Sequence, residues 1–197
     1  MLLTSDIEKL VIHLNLKGII INEVNNDNVL VTAEAGENWH DLVTWTLENG
    51  FPGLENLALI PGSVGAAPVQ NIGAYGVELQ DRFESLDAVD LTTGQRFSLN
   101  AAQCAFGYRD SIFKHGPGQT VGASRSMGLA GRALITRVRF QLAKAWKPVL
   151  GYLDLEKKIT ETGINQPSAH QIFEWVCAIR RAKLPDPAVI GNAGSFF

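Results

Sequence analysis

The sequence predicts an α+β fold, a central and largely antiparallel sheet with flanking helices. Three observations carry this. Leu86 to Leu91 and Arg96 to Leu99 flank Thr92-Thr93-Gly94-Gln95, a turn composition between two apolar runs. Leu134, Thr136, Val138, Phe140 and Leu142 occupy every second position, the period of a half-buried strand. Two amphipathic helical segments lie outside these strands, and hairpins outnumber strand–helix–strand units.

Element by element, Leu10 to Leu16 is apolar and strand-like, and Val29 to Ala35 reads as a strand. A helix follows over about Glu37 to Asn49. Trp39, Leu42, Val43 and Leu47 share one face, Glu37 sits in the first turn, and Gly50 supplies the stop. Trp39 and Trp45 are expected to pack. Between Gly53 and Gly76 the periodicity vanishes, and five glycines and two prolines punctuate the run. A segment that long inside a compact domain is functional or disordered, and this one is too apolar for disorder. Gly116 to Gly131 holds five glycines and Pro117 and reads as a mobile loop. The last helix spans about Ala169 to Lys183. Ser168 and Gln171 form its capping box, Ile172, Phe173, Val176 and Ile179 its apolar stripe, and Leu184-Pro185 its end.

The chain has 197 residues, room for one domain or two small ones. Hydrophobic residues make up 46% and charged residues 19%, a globular balance. The formal charge of −3 argues against wholesale binding to nucleic acid or to an anionic membrane, and leaves room for a local basic site. Two cysteines 73 residues apart give no disulfide framework, which fits a reducing cytoplasm. The four histidines show no metal-ligand spacing, so no metal is expected. No apolar run reaches the roughly 18 residues of a membrane span, and the first residues lack the basic and apolar regions of a signal peptide.

Four segments could carry chemistry. The glycine-rich run could cradle an anion on its backbone, or could simply be structural turns. It lacks the Gly-Lys-Ser/Thr of a P-loop, and Gly62 and Gly65 do not extend to a dinucleotide-binding fingerprint. Tyr108-Arg109-Asp110 offers a guanidinium suited to gripping a carboxylate, with a surface Arg–Asp pair as the bland alternative. Arg180, Arg181 and Lys183 crowd a helix C-terminus. They could complement the helix dipole or face a phosphorylated ligand. Ser195 stands among small residues in Gly191-Asn192-Ala193-Gly194-Ser195-Phe196-Phe197, without the nucleophile-elbow pattern of a hydrolase.

Several stretches together resemble one family. They are Ala35-Gly36-Glu37-Asn38-Trp39, the run from Pro52-Gly53-Leu54-Glu55-Asn56-Leu57 to Gln70-Asn71-Ile72-Gly73-Ala74-Tyr75-Gly76, Phe106 to Phe113, and Lys183-Leu184-Pro185 with Gly191 to Phe197. The resemblance is to the UDP-N-acetylenolpyruvoylglucosamine reductases, the MurB family of bacterial peptidoglycan synthesis, in the subclass with a substrate-covering tyrosine. It implies the middle portion of a MurB-like FAD-binding fold of the vanillyl-alcohol-oxidase type. It also implies a cytoplasmic flavoprotein, monomeric when full length, in which NADPH reduces FAD. The reduced flavin then reduces UDP-N-acetylglucosamine enolpyruvate to UDP-N-acetylmuramate.

By the same resemblance Arg109 and Ser195 are catalytic, the first stabilising developing negative charge and the second donating a proton. Tyr75, Tyr108, Tyr152, Arg180 and Lys183 are substrate-binding. Pro61, Gly62, Ser63, Val64, Gly65, Ala66, Asn71, Gly73, Ala74, Tyr75 and Gly76 are cofactor-binding. Residues 1–145 correspond to the second half of the flavin-binding region, without its N-terminal Gly-Ser-Asn loop. Residues 146–197 correspond to the remainder, approaching a substrate domain that holds the family's catalytic glutamate. Gly116–Arg132 is longer than the family pattern, and Ala66 and Ala67 stand where hydroxyl residues would contact flavin. Weak flavin binding and poor turnover are therefore expected, and a non-catalytic flavin- or nucleotide-sugar-binding remnant stays open as the alternative.

Overall fold

The computed structural model describes residues 12–123, 126–185 and 189–190. Its centre is a five-stranded, wholly antiparallel sheet. In chain order the strands are β1 (Ile19–Val24), β2 (Asn28–Glu34), β3 (Gly73–Ala74), β4 (Val77–Glu78), β5 (Phe83–Asp90), β6 (Arg96–Asn100), β7 (Thr120–Val121), β8 (Ser126–Met127) and β9 (Ala133–Ala143). The helices are α1 (Trp39–Glu48), α2 (Ala101–Cys104), α3 (Leu153–Thr162) and α4 (Ala169–Lys183). The main sheet runs β1-β2-β9-β5-β6, while β3 with β4 and β7 with β8 form two small hairpins.

Alternation gives this sheet two unlike faces. Val29, Val31 and Ala33 of β2, Val138, Phe140 and Leu142 of β9, and Leu86 and Ala88 of β5 are buried in the core. The opposite face carries charge. Arg137 reaches Glu34 at 2.7 Å and Asp87 at 3.8 Å, and Arg139 reaches Asp87 at 2.6 Å. A bulge between Asp87 and Ala88 shifts the β5–β9 register there.

Helix α1 begins where Asn38 accepts from the backbone N–H groups of His40 and Asp41, satisfying two orphan donors. It buries Trp39, Leu42, Val43 and Leu47 as the periodicity predicts. The Trp39 indole donates to the Leu57 carbonyl at 2.8 Å and meets Phe140 edge-on at 5.8 Å. This ties helix, glycine-rich run and sheet together. The capping box of Ser168 and Gln171 is formed, and α4 buries Ile172, Val176, Cys177 and Ile179. Phe173, expected in that stripe, is half-buried and stacks on His40 at 5.4 Å instead.

Two expectations need correction. Of the predicted Leu10–Leu16 strand, residues 12–16 are not in a strand, and the rest lies outside the described residues. The edge strand is Ile19–Val24, because the carbonyl of Leu16 is taken by Gly36 N–H at 3.0 Å, which holds this stretch as an irregular strap. The second concerns Gly116 to Gly131, read as a mobile loop. It contains the β7–β8 hairpin and is laced to its surroundings. Gly128, Leu129 and Ala130 N–H donate to the carbonyls of Gln119, Ile112 and His115, each at 2.8 Å. No helix among the described residues is long and apolar enough to cross a membrane.

Candidate functional site

The glycine-rich run is an ordered wall. It contains two short 3₁₀ turns, Glu55–Leu57 and Val64–Gln70, and then the β3–β4 hairpin. Its seat is built from buried polar side chains. The Glu55 carboxylate, only 2% exposed, accepts from Gly53 N–H at 2.6 Å and from the Trp146 indole at 2.7 Å. Asn56 donates to the carbonyls of Tyr75 at 2.8 Å and Val149 at 3.0 Å. Residues 146–149 are thereby stapled to the hairpin.

The residues expected to touch a cofactor divide in two. Pro61, Gly62 and Ala66 are exposed, and Ser63 is half-buried. A side chain at Gly62 would meet nothing within 4 Å, so the surface is open there. A shallow depression beside them is lined by Trp39, Pro61, Ser63, Ala66, Ala67, Gln70 and Ile72. Val64, Gly65 and Asn71 instead face inward. Gly65 lies against β2, where an added Cβ would stand 2.6 Å from the Ala35 Cβ. Asn71, in a left-handed conformation at φ 42°, donates to Glu78 at 2.9 Å and to the Gly107 carbonyl at 3.0 Å. It also accepts from Gln80 N–H at 3.0 Å. Its side chain holds the loop together.

Two non-glycine residues occupy left-handed backbone at turn tips, which is uncommon and costs about 1–3 kcal/mol each. Tyr75 (φ 49°) and Gly76 (φ 82°) form the tip of the β3–β4 hairpin. Positive φ at both positions suits a tight hairpin turn, normally of the Asn-Gly kind. Arg109 (φ 52°) sits at the tip of a second turn, closed by reciprocal bonds between Gly107 and Asp110 at 3.0 and 3.1 Å.

The two tips meet. Arg109 Nη2 donates to the Gly73 carbonyl, and Nη1 lies 3.9 Å from Glu78 Oε1. The guanidinium carbon is 5.1 Å from the centre of the Tyr108 ring, which is itself 78% exposed. Lys114 Nζ donates to the Arg109 carbonyl at 2.7 Å, and His115 Nε2 lies 2.9 Å from both Asp110 oxygens. A Cβ at Gly73 would stand 2.6 Å from Arg109 Nη1, so the guanidinium keeps this place only beside a glycine. The alternative reading, an Arg109–Asp110 surface pair, is not found among the described residues. Arg109 turns to the hairpin and Asp110 to His115.

Past the other side of the hairpin, Tyr75 meets the Tyr152 ring edge-on at 5.1 Å. Arg180 lies against the Tyr75 phenol, and Lys183 pairs with Asp154 at 2.6 Å. Burial raises the pKa of the Tyr75 phenol, against the opposing charges of Arg180 and Lys183. Burial likewise lowers that of Arg180, while Tyr75 works to restore it. Arg180 Nε is buried without a hydrogen-bond partner among the described residues.

Arg109, Tyr108, Gly73, Ala74, Tyr75, Tyr152, Arg180 and Lys183 thus gather around one two-stranded hairpin. Ser195 lies outside the described residues. Sequence reasoning missed Glu78, Asn56 and Asp154. The contacts that bring them to the site reach Arg109, Tyr75, Val149 and Lys183, 19 to 93 residues away.

Known proteins resemble this chain in sequence. A family profile described as "FAD binding domain" matches residues 2–100. A UDP-N-acetylenolpyruvoylglucosamine reductase of an Azoarcus species is 57% identical over 168 residues, covering 85% of this chain and 45% of the relative. The protein of the same name from Pseudomonas fluorescens is 51% identical over 197 residues, covering 100% of this chain and 54% of the relative. The chain therefore spans about half the length of the curated relatives it matches. Among solved structures, the crystal structure of UDP-N-acetylenolpyruvylglucosamine reductase (MurB) from Thermus caldophilus shares 24% identity and a TM-score of 0.47, over 76% of this chain and 41% of that one.

Proposed function

Because the chain belongs to the family of FAD binding domains, we propose that it forms the flavin-facing wall and part of the substrate wall of a UDP-N-acetylenolpyruvoylglucosamine reductase. The proposed reaction is the NADPH-dependent reduction of UDP-N-acetylglucosamine enolpyruvate to UDP-N-acetylmuramate, in the cytoplasm of a bacterium. Residues 1–145 belong to the flavin-binding region, and residues 146–197 continue it toward a substrate domain. The observation that carries this reading is the docking of Arg109, left-handed at the tip of its turn, on the Gly73 carbonyl and Glu78 of the β3–β4 hairpin, whose other side sets Tyr75 against Tyr152 and Arg180. Backbone strain of this kind persists where a site requires it.

The residues present fit a flavin. Pro61, Gly62, Ser63 and Ala66 leave an open surface of small side chains along a shallow depression that reaches Gln70 and Ile72, where a planar ring could approach the backbone. When bound and reduced by NADPH, the flavin would supply the hydride. The guanidinium of Arg109 faces the carboxylate side of the enolpyruvyl group and stabilises the negative charge that develops there. Its direction is fixed in advance by the Gly73 carbonyl, so little reorganisation is needed at the moment of reaction. Ser195 hands a proton to the adjacent carbon. Arg180 and Lys183 offer positive charge to the diphosphate, with Lys183 exchanging Asp154 for it. Tyr75, its phenol held protonated by burial, donates a hydrogen bond, and the half-exposed Tyr152 covers the ligand.

Titrating the chain into FAD and following flavin fluorescence tests this. Saturable quenching is expected, with little NADPH oxidation, since the chain spans about half of its relatives. No quenching by a folded chain would refute the flavin wall. Quenching with no turnover, even when the rest of a relative is supplied, would favour a binding module.

A further inference from the structure

Glu78 has no part in the reaction described above, yet its surroundings are built. One carboxylate oxygen, Oε2, accepts from Asn71 Nδ2 at 2.9 Å and from Gln80 Nε2 at 2.7 Å. The other, Oε1, faces Arg109 Nη1 at 3.9 Å. That nitrogen is buried and has no hydrogen-bond partner among the described residues. Across the same gap Gly73 offers only hydrogen where any other residue would place a Cβ 2.6 Å from Nη1 and 3.0 Å from Glu78 Cγ. A donor without acceptor, a carboxylate oxygen that faces it, and a glycine that lets them approach thus share one place.

We propose that Glu78 is a positioning residue for Arg109. Its free oxygen takes the inner edge of the guanidinium through Nη1 once the pair closes by about an ångström, to ordinary hydrogen-bond length. Gly73 takes Nη2. The guanidinium is then held from behind by a carbonyl and a carboxylate, and its outer edge is presented to the ligand's carboxylate. Asn71 sets the direction of both partners, since it also bonds to Gly107 at the base of the Arg109 turn. This inference rests on the functional reading above for what Arg109 grips, but the holding of Arg109 can be measured without any ligand.

The test is Glu78→Gln in the full chain. The variant keeps an acceptor oxygen for Asn71 and Gln80 and turns the oxygen facing Arg109 into an NH2 donor, so charge and acceptor are lost together. Nitrogen-15 NMR of the arginine side chains, with Arg109→Lys to assign the signal, reads rotation about the Cζ–Nη bonds. The parent chain is expected to show hindered rotation at Arg109, and Glu78→Gln rotation at least about tenfold faster, because a charge-assisted bond is lost. Glu78→Asp, which withdraws the charge by one methylene, is expected to give an intermediate rate, and it decides the matter if Glu78→Gln does not fold. Unchanged rotation at Arg109 in a folded variant would overturn the proposal. Failure of flavin quenching by the parent would overturn the functional reading instead and leave this readout standing.

Discussion

Gly65→Ala separates two roles that a glycine beside a ligand could play. Were Gly65 there to let a ligand approach the backbone, alanine would harm binding and leave the unliganded fold alone. The structure says otherwise. The new Cβ would stand 2.6 Å from the Ala35 Cβ and 3.2 Å from the Ala35 carbonyl oxygen. Carbon atoms pack best at about 3.5–4.0 Å, so loop and strand must part by about 1 Å. Neither side yields easily. Gly65 N–H donates to the Ala35 carbonyl at 3.0 Å, Val64 N–H to Glu37 at 2.9 Å, and Trp39 N–H to Gly62 at 3.0 Å. Overpacking of this sort costs about 1–3 kcal/mol, and three strained bonds push it toward the upper end. At about 2–4 °C per kcal/mol for a chain of this size, Gly65→Ala should lower Tm by about 6 °C in the absence of ligand. The assay is thermal unfolding by circular dichroism beside Ala66→Ser, which changes an exposed neighbour and should be neutral within about 0.5 kcal/mol. A Gly65→Ala melting curve that superimposes on the parent's, with flavin quenching lost, would refute the packing argument.

Glu55→Gln should destabilise by about 3 kcal/mol, because the buried carboxylate accepts from both Gly53 N–H and the Trp146 indole, and an amide can serve only one of them. A urea midpoint equal to the parent's would show that the staple on residues 146–149 carries no energy. Asp87 gives a pH test. Burial alone would raise its carboxyl, but hydrogen bonds from Arg139 and Ser98 and the charges of Arg139 and Arg137 outweigh this and hold it below its ordinary 3.8. A group depressed in the folded state stabilises above its unfolded pKa, and that contribution fades as pH falls through the folded one. Asp87→Asn should therefore be less stable than the parent at neutral pH, with the gap closing below the ordinary carboxyl range. A gap that stays constant in acid would mean that the ladder on the open sheet face is not electrostatic.

What the sequence reveals depends on whether an element's own burial writes a period into it. Helix α4 runs from Ala169 to Lys183 as read, because its capping box is local and its apolar stripe is needed against the core. Strand β9 is legible because Val138, Phe140 and Leu142 face the core while Arg137 and Arg139 face outward. Strand β1 is illegible for the converse reason. It is an edge strand with Ile20 and Ile21 both exposed, so no alternation marks it. Helix α3 buries only Leu155 among its ten residues, and one apolar contact makes no stripe.

The site follows a different rule. Arg109 and Tyr75 stand in motifs and can be singled out by type and neighbours, but the reason they matter is their left-handed backbone, which no residue name discloses. Glycines mislead in a particular way. Gly62, Gly65 and Gly73 look alike in sequence, each granting space to something. At Gly62 the space is open, at Gly65 a strand fills it, and at Gly73 an arginine from 36 residues away does. Glu78 has local partners in Asn71 and Gln80, but the one that ties it to the site, Arg109, comes to it only after the whole β5–β6 hairpin has intervened. A glycine-rich run therefore signals close approach without saying of what. Only the fold distributes those approaches among solvent, core and the Arg109 guanidinium.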